Sequence, residues 1–287
     1  SNNKMITIAA LTSLGQIEIS ENNLHLAEEY FLNVLQFTGD PVLPVACEAH
    51  LGLARIYYQW NDLNRAKKHS ELSLQLAKKM ENIDTPANAG LLLALIQFMQ
   101  GESTGAMESM RDAEQYIQEK NFSHLLPELA TLRVLFYQAN EDPVLALEWF
   151  KAQDLPLPYA RFLILQAEYS QAHDILVAYR ESMEAKKWRD EQLKALVLEA
   201  VAYFSLEKNK LALESMKGAL NLAEPGGFIR LFIDEGPPIT EMLRELEKEE
   251  FKPAYIRRLL TEIEREMAGD VASSTFHPQD SLDALNE

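Results

Sequence analysis

Apolar residues recur three or four positions apart along most of the chain, and short polar or proline-containing stretches separate the apolar segments. This spacing puts the apolar side chains on one side of an α-helix, so the pattern predicts amphipathic helices rather than strands. The predicted helices form six consecutive pairs, at residues 5–20 with 24–38, 42–60 with 63–80, 87–100 with 104–120, 125–138 with 143–151, 158–169 with 171–184, and 191–205 with 210–223. The predicted fold class is all-α.

The polar breaks inside the pairs resemble one another. Residues 22–27, NNLHLA, match residues 61–66, NDLNRA, and related turns place an alanine at the same point of every pair. These reference alanines are separated by 39, 40, 40, 26 and 40 residues and are Ala27, Ala66, Ala106, Ala146, Ala172 and Ala212. A period near 40 residues built of helices predicts an α-α solenoid. The interval of 26 leaves the register of the fourth and fifth pairs open.

Small residues stand at five of the six positions where the two helices of a pair would cross, and Val134 is the exception. Twelve positions before the reference alanines are Gly15, Ala54, Ala94, Val134, Ala160 and Ala200, and four positions after them are Phe31, Ser70, Met110, Phe150, Leu176 and Met216. This alternation resembles the tetratricopeptide (TPR) repeat, which implies a right-handed superhelix of helix pairs. The period exceeds the roughly 34 residues of that family, and Ser70 interrupts the bulky row.

Capping residues predict where several helices begin. Asp40-Pro41, Thr85-Pro86 and Asp142-Pro143 each put an N-cap residue before a proline at the first helical position, where the missing N–H group has no helical partner to lose.

The repeat pattern ends near residue 224, so we predict three regions. They are helical repeats over 1–224, a terminal capping segment over 225–268, and a polar linker or tail over 269–287. The capping segment contains a short apolar stretch at 228–233 and two predicted helices, over 237–249 and 254–267.

Composition limits the functions that this chain can perform by itself. Of 287 residues, 47% are hydrophobic, and the formal net charge is −17. A surface that binds DNA must neutralise phosphates with clustered lysine and arginine, so we expect no direct nucleic-acid contact. No apolar run reaches the roughly 18 to 20 residues of a membrane span. The lone Cys47 excludes an internal disulfide and fits a cytoplasmic protein. Because Met5 is internal, we expect the sequence to be a fragment.

No catalytic or metal-binding signature is present in the sequence. Residues 101–105, GESTG, lack the lysine and the spacing of a phosphate-binding loop, and neither a G-x-S-x-G nor an H-E-x-x-H motif occurs. No two of the six histidines are three or four positions apart, as ligands on one helix turn would be. We therefore predict no enzymatic activity, no metal and no cofactor in this chain.

A helical solenoid offers a concave groove lined by the first helix of each pair. Positions eight and eleven before the reference alanine share one helix face, and by similarity with TPR arrays this face lines the groove. It carries Tyr58, Phe98, Gln138, Phe204, Arg55 and Arg161. Aromatic and arginine side chains could bind a sugar-like or a peptide ligand. The alternative is that Phe98 and Phe204 pack against adjacent helices.

Two motifs in the terminal segment suggest a more specific family. Residues 228–238, FIRLFIDEGPP, and residues 253–260, PAYIRRLL, resemble the end of the helical-repeat sensor of large bacterial ATP-dependent transcriptional regulators of the MalT-like, LuxR-type class. The motif residues are Phe228, Arg230, Phe232, Asp234, Glu235, Gly236, Pro237, Tyr255 and Arg257. We expect Phe228 and Phe232 to be buried against the last repeat, and Asp234 and Glu235 to fix the turn into Pro237.

The resemblance implies that this chain senses a signal and that other domains respond. ATP would bind a domain N-terminal to it, and a C-terminal helix-turn-helix would bind DNA. The ligand would be a small-molecule inducer, a protein or a peptide, and the full-length protein could oligomerise. The alternative function is a stand-alone TPR-type scaffold that holds a partner peptide in its groove.

Overall fold

The computed structural model describes residues 2–39, 42–81, 83–137, 150 and 155–274. Throughout these residues the regular structure is helical, and the described part contains no strand. The protein is an all-α solenoid of helix pairs, as the apolar spacing predicted. Gln138 and the Asp142-Pro143 cap lie outside the described residues, as does the predicted helix over 143–151 apart from Phe150.

Fourteen helices are found in the described part of the chain. In order they are α1 (Asn2–Ser20), α2 (Leu24–Thr38), α3 (Cys47–Gln59), α4 (Leu63–Ala77), α5 (Thr85–Met99), α6 (Ser103–Lys120), α7 (Leu126–Tyr137), α8 (Pro156–Leu165), α9 (Tyr169–Lys186), α10 (Arg189–Ser205), α11 (Asn209–Ala223), α12 (Arg230–Ile233), α13 (Pro237–Lys248) and α14 (Pro253–Ser274). Short 3₁₀ turns over Pro44–Ala46, Ser123–Leu125 and Glu224–Gly226 precede α3 and α7 and follow α11.

Sequence and structure differ mainly at helix ends. The second pair was predicted to start at residue 42, but a 3₁₀ turn over Pro44–Ala46 comes first and the α-helix begins at Cys47. Asp40 and Pro41 lie outside the described residues. Thr85 was predicted to cap the third pair, yet α5 includes it, and Asp84 occupies the N-cap position. The Asp84 carboxylate accepts from His124 at 2.7 Å instead of capping the helix.

The predicted polar tail also begins too early. Residues 269–274 continue α14 as helix, so the predicted start of the tail at residue 269 is wrong. The spacing of apolar residues in α14 ends near Met267, and beyond that point the sequence offers no amphipathic signal that would predict a helix. Residues 275–287 lie outside the described part.

The repeat register is confirmed by burial. Every reference alanine in the described residues is fully buried: Ala27, Ala66, Ala106, Ala172 and Ala212. The turn five positions before each of them has a positive φ, between 59° and 77°, at Asn22, Asn61, Gly101, Ala167 and Glu207. One turn geometry therefore recurs through the solenoid, although its sequence changes from pair to pair.

Phe31 shows how small and bulky residues fit together. Its ring is fully buried between α1 and α3. A Cβ atom added at Gly15 would lie 2.6 Å from the ring, and one added at Gly52 would overlap it. Since packed side chains rarely approach so closely, glycine at both positions makes room for the phenylalanine.

Ser70 interrupts the bulky row in the second pair, and Ser73 lies three residues further along α4. Both side chains are fully buried. Ser70 Oγ donates to the carbonyl of Ala89 at 2.8 Å, and Ser73 Oγ donates to the carbonyl of Cys47 at 2.8 Å. Each buried hydroxyl thus has a hydrogen-bond acceptor on a neighbouring first helix, which removes most of the cost of burying it.

The chain divides into two compact units, Ser1–Leu231 and Phe232–Glu287. The first unit contains the helix pairs α1 to α11. In the second unit, α13 packs against α14. Apolar side chains on both helices are buried there, including Ile239, Leu243, Leu246, Ile256 and Leu259. The pronounced amphipathic spacing of α13 explains why its apolar side is the buried one.

We predict that Gly52→Ala destabilises the protein by about 1–3 kcal/mol, because the new methyl group overpacks the site of the Phe31 ring. Gly218→Ala on α11 is the matched control. Its added Cβ would lie 3.4 Å from the side chain of Leu196 on α10, an ordinary contact distance. Alanine favours a helix over glycine, so this control keeps or raises stability. Denaturant unfolding measures both variants. Equal stabilities would contradict the packing of Phe31 on Gly52.

Candidate functional site: the inner face and the segment that closes on it

The predicted groove residues lie on first helices that contact one another in sequence. Arg55 and Tyr58 are on α3, Phe98 is on α5, Arg161 is on α8 and Phe204 is on α10. Contacts run from α1 to α3, from α3 to α5, from α5 to α7, from α7 to α8 and from α8 to α10. This row of first helices is the face on which a ligand groove was predicted. Gln138 lies outside the described residues.

Arg55 joins two neighbouring first helices. Its Nη2 atom donates to Oδ1 of Asn88 on α5 at 2.8 Å. Arg55 is half-buried and Asn88 is 9% exposed. An arginine has five N–H donors, so the guanidinium can also bind a second acceptor. The structure thus shows Arg55 bound to Asn88, and its place in a ligand groove stays a prediction.

Tyr58 does not line an open groove. Its side chain is 4% exposed. The guanidinium of Arg230 lies 5.7 Å from the centroid of its ring, a cation–π geometry. The prediction that Tyr58 is accessible to a ligand is therefore wrong for this structure, because a segment from the far end of the repeats covers that position.

That closing segment, residues 226–231, is hydrogen-bonded to the end of α3. The backbone N–H of Ile229 donates to the carbonyl of Gln59 at 2.7 Å, and the N–H of Leu231 donates to Gln59 Oε1 at 3.2 Å. Trp60 Nε1 donates to the carbonyl of Gly226 at 2.8 Å. Arg230 Nη1 donates to Asn61 Oδ1 at 3.2 Å, from a side chain that is only 2% exposed.

A second set of contacts ties the same end of the solenoid to α1. A Cβ atom at Gly226 would overlap the backbone carbonyl oxygen of Asn22, so only glycine permits this approach. Asn22 Nδ2 donates to the carbonyl of Arg189 at 3.2 Å, and Arg189 Nε lies 3.2 Å from Glu21 Oε2. The first unit therefore returns on itself, with its first two helix pairs bound to its last pair and to the closing segment.

The other groove residues have separate surroundings. The ring centroid of Phe98 lies 4.7 Å from that of Phe136 on α7, which agrees with the alternative that Phe98 packs against an adjacent helix. Phe204 and Arg161 are both half-buried. A common ligand site for the predicted side chains stays a prediction.

Comparison with known proteins agrees with this fold. A family described as the MalT-like TPR region matches residues 1–249, which is most of the chain. The chain belongs to this family. The helical-repeat register and the family match were both anticipated by the sequence motifs.

One relative and one solved structure are also similar. The HTH-type transcriptional regulator MalT of Serratia proteamaculans is 21% identical over 206 residues, which are 67% of this chain and 23% of that protein. The chain thus spans under a quarter of this relative's length. A structure titled as a functional characterisation of Pseudomonas aeruginosa pilF has a TM-score of 0.41 and 16% identity, over 78% of this chain and 95% of that chain.

The family motif is divided between the two units of this MalT-like region. Phe228 and Arg230 are buried in the closing segment, whereas Phe232 and Tyr255 are buried in the second unit, where their rings meet edge to face at 6.3 Å. Phe228 and Phe232 are both buried, whereas their predicted burial against the last repeat stays a prediction. The contact seen for Phe232 is with Tyr255.

The turn into α13 is stabilised by its backbone. The N–H of Glu235 donates to the carbonyl of Phe232 at 3.3 Å, and that of Gly236 donates to Ile233 at 3.0 Å. Gly236 has φ of 75°, which favours glycine, and Pro237 begins the helix. Asp234 and Glu235 are half-buried, and their role in fixing the turn stays a prediction. Arg257, on α14, donates through Nε to the carbonyl of Pro253 at 3.0 Å.

The residues that the sequence did not reveal are Gln59, Trp60 and Asn61. Gln59 and Trp60 were assigned to the end of the predicted helix over 42–60, and Asn61 was assigned to an ordinary turn of the repeat. Asn61 has φ of 62° and Asn22 has φ of 64°, so asparagine suits the turn conformation in both pairs. The one available signal was that both turns have Asn at the same position. The positive φ of the turn already explains why Asn stands there, so the signal does not point to a long-range contact.

Neither of two other site types is indicated. Within the described residues, no group of three or more histidine, cysteine or acidic side chains could hold a metal ion. No helix among those residues is both long enough and apolar enough to cross a membrane.

A pair of histidines joins α3 to α4. His50 Nδ1 and His69 Nδ1 are 2.9 Å apart, so one neutral ring donates to the other. His50 is 6% exposed. Burial, with a smaller contribution from His69, lowers the pKa of His50 from 6.5 to about 4, and burial also lowers the pKa of His69. Protonation of either ring would place a charge in this buried contact.

We predict that Gly226→Ala releases the closing segment from α3, because the added methyl group overlaps the Asn22 carbonyl. The amides of Ile229 and Leu231 should then exchange hydrogen faster, as measured by mass spectrometry, and stability should fall by about 1–3 kcal/mol. Gly105→Ala is the control, since its Cβ would meet only the side-chain amide of Gln97, at 3.1 Å. Unchanged exchange in Gly226→Ala would show that this glycine is not required for closure.

We predict that stability falls as the pH is lowered from about 6.5 towards 4. In this window the unfolded chain binds protons at His50 that the folded chain excludes. The expected loss between pH 7 and pH 5 is about 2 kcal/mol. A double variant, His50→Asn with His69→Asn, cannot take up these protons and should lose less stability. Denaturant unfolding of both proteins at the two pH values measures the difference, and equal losses would contradict the assignment.

Proposed function

We propose that this chain is the sensor and partner-binding region of a LuxR-type bacterial transcriptional regulator. It binds an inducer or a partner protein, and domains outside these residues bind ATP and activate transcription. Membership of the MalT-like TPR family and the similarity to a transcriptional regulator support this proposal. On this proposal the chain itself catalyses no reaction, needs no cofactor and works in the cytoplasm.

The closing segment is the observation that carries the proposal. It connects the groove face, through Tyr58 and Asn61, to the point where the first unit ends, at Leu231. A ligand that binds the inner face near Arg55 competes with Arg230 for the region around Tyr58, or else stabilises the closed arrangement. Either way the ligand changes how the end of the repeat region is held.

Such a switch requires the ligand to bind the closed and open arrangements with different affinities. Four hydrogen bonds hold the closing segment to the end of α3. Each contributes about 0.5–1.5 kcal/mol net, so a ligand with a few kilocalories per mole of differential affinity could shift the equilibrium. The proposed output is a change in the contacts that the full-length protein makes when it oligomerises.

The charge of the chain is consistent with this division of labour. With a net charge of −17, the region would repel DNA rather than bind it. Arg55 and Arg161 place positive charge on the inner helices. We propose that the ligand carries hydroxyl or acidic groups that these arginines bind, and that Phe204 supplies an apolar contact.

We predict that a screen of sugars and small metabolites finds a ligand that raises the melting temperature saturably. At a concentration 100 times its Kd the expected stabilisation is about 2.7 kcal/mol, or a rise on the order of 5 °C. Arg55→Ala should weaken this ligand because it removes a groove donor. Arg244→Ala, an exposed arginine on α13, is the control and should leave binding unchanged.

The same experiment separates the two functions that the sequence allowed. A saturable ligand whose affinity falls in Arg55→Ala supports the sensor. If no metabolite binds but an extended or helical peptide does, the region is a TPR-type scaffold. If Arg55→Ala and Arg244→Ala bind every ligand equally well, the groove assignment is wrong.

A further inference from the structure

An open cavity of about 450 Å³ lies between the C-terminal ends of the second helices α4 and α6. Residues of the loop that leads from α4 into α5 line the rest of it. Ligand pockets in proteins typically measure roughly 300–1,000 Å³, so this cavity can hold a compact organic molecule. Its lining residues are Lys78, Met80, Glu81, Pro86, Tyr116 and Lys120.

The apolar part of the cavity is held in place by the core beneath it. Pro86 is buried in the first turn of α5. Met80 and Ile83, in the loop, pack on a buried cluster that includes Cys47. The hydroxyl of Tyr116 donates to the carbonyl of Ile83 at 3.3 Å. This bond ties α6 to the loop, so the tyrosine ring has a fixed position on the cavity wall.

Two lysines supply positive charge to the same cavity. Lys78 is the C-cap residue of α4, and Lys120 is the last residue of α6. Nζ of Lys120 lies 6.0 Å from the centroid of the Tyr116 ring. Both lysines are exposed, and neither forms an ion pair with any residue that the structure describes. Their ammonium groups therefore have hydrogen-bond donors available for a ligand.

The helix ends alone do not explain this pair of lysines. A lysine near a helix C-terminus interacts favourably with the carbonyl groups of the last turn. In the pairs that contain α2, α6, α9 and α11, however, the position equivalent to Lys78 is held by Gly39, Gln118, Glu184 and Glu224. Two of these four residues are acids, so the repeat does not require a lysine at this point.

Charge and shape together indicate the kind of ligand. Because the chain has a net charge of −17, an anion needs local positive charge to bind to it. We propose that the cavity binds a small organic anion. Its carboxylate or phosphate group contacts Lys78 and Lys120, and its apolar body lies against Tyr116 and Pro86. Glu81 also lines the cavity and would repel a second anionic group, so the negative charge is confined to one end of the ligand.

This site is separate from the predicted groove. The groove residues lie on first helices, whereas Lys78 and Lys120 lie at the ends of second helices. The organic anion is therefore an additional ligand, and the proposal does not depend on the ligand proposed near Arg55. Substitution of Arg55 tests the groove, and substitution of the two lysines tests the cavity, so the two proposals fail independently.

NMR of isotopically labelled methionine methyl groups detects binding to the whole 287-residue chain. Met80 lines the cavity, and its signal is assigned by its loss in Met80→Leu. Phenyl phosphate and benzoate are the probes, since each joins an anionic group to an apolar ring. At least one should shift the Met80 signal saturably, and the tighter probe shows which anionic group is preferred. Benzyl alcohol and inorganic phosphate, which each lack one of the two features, should bind several-fold more weakly.

Removal of both lysines separates this site from the general charge of the protein. Lys78→Gln with Lys120→Gln should weaken the tighter probe by about 10-fold, because the anion loses two charged hydrogen-bond donors. Lys79→Gln with Lys187→Gln is the matched control. It changes the net charge equally, at exposed lysines that do not line the cavity, and should bind the probe like the wild type. The signals of the other methionines show whether each variant is folded.

Three results would overturn the proposal. The first is a Met80 signal that neither probe shifts. The second is equal affinity in the two double variants, because the probe would then respond only to the overall charge. The third is an affinity for benzyl alcohol or for inorganic phosphate equal to that of the tighter probe, because the cavity would then recognise only a ring or only an anion.

Discussion

Close backbone approach at glycine is the constraint on which this solenoid depends. Gly15 and Gly52 leave space for the Phe31 ring between two first helices, and Gly226 lets the end of the repeats reach the carbonyl of Asn22. A methyl group at any of these positions would occupy space that is already filled. The first two glycines set the spacing of the helices, and the third determines whether the closing segment can reach α1. Stacking and closure therefore have the same physical requirement.

The stacking was predictable from the sequence because it is local and repeated. Ala27 and Ala66 recur together with their turns, and each pair is an independent instance of the same pattern. A departure from the pattern at one position, such as Ser70, therefore does not hide it. Closure was not predictable. It joins Gln59 and Asn61 to residues about 170 positions away, and a single contact at that separation leaves no periodic signal. For this reason Tyr58 was misassigned to an open groove. Its position in the repeat was correct, but the sequence did not show that Arg230 of the closing segment lies over its ring.

Closure also changes which neighbours the helix pairs at the two ends of the first unit contact. In an open array each helix pair contacts only its neighbours, so stability is a sum of nearest-neighbour terms and the end pairs open first. Here the first pair contacts the second pair on one side and, through Asn22 and Glu21, the region of Arg189 at the other end. Asn22 and Asn61 adopt the left-handed backbone conformation of the first two turns. Asn22 also donates to the carbonyl of Arg189, and Asn61 accepts from Arg230 in the closing segment. A residue chosen for local geometry thus contributes to a long-range contact.

The two ends of α1 consequently have opposite roles. Its C-terminal turn, at Glu21 and Asn22, is bound by the last pair, whereas the face that includes Ile6 and Ile17 is exposed. The turn that follows α1 is connected through Asn22 to Gly226 in the closing segment. A ligand that shifts α1 and a ligand that binds in the groove would then act on the same closure. Because both would change the free energy of one closure, their effects would be coupled and reciprocal, so each ligand would alter the affinity for the other by the same factor.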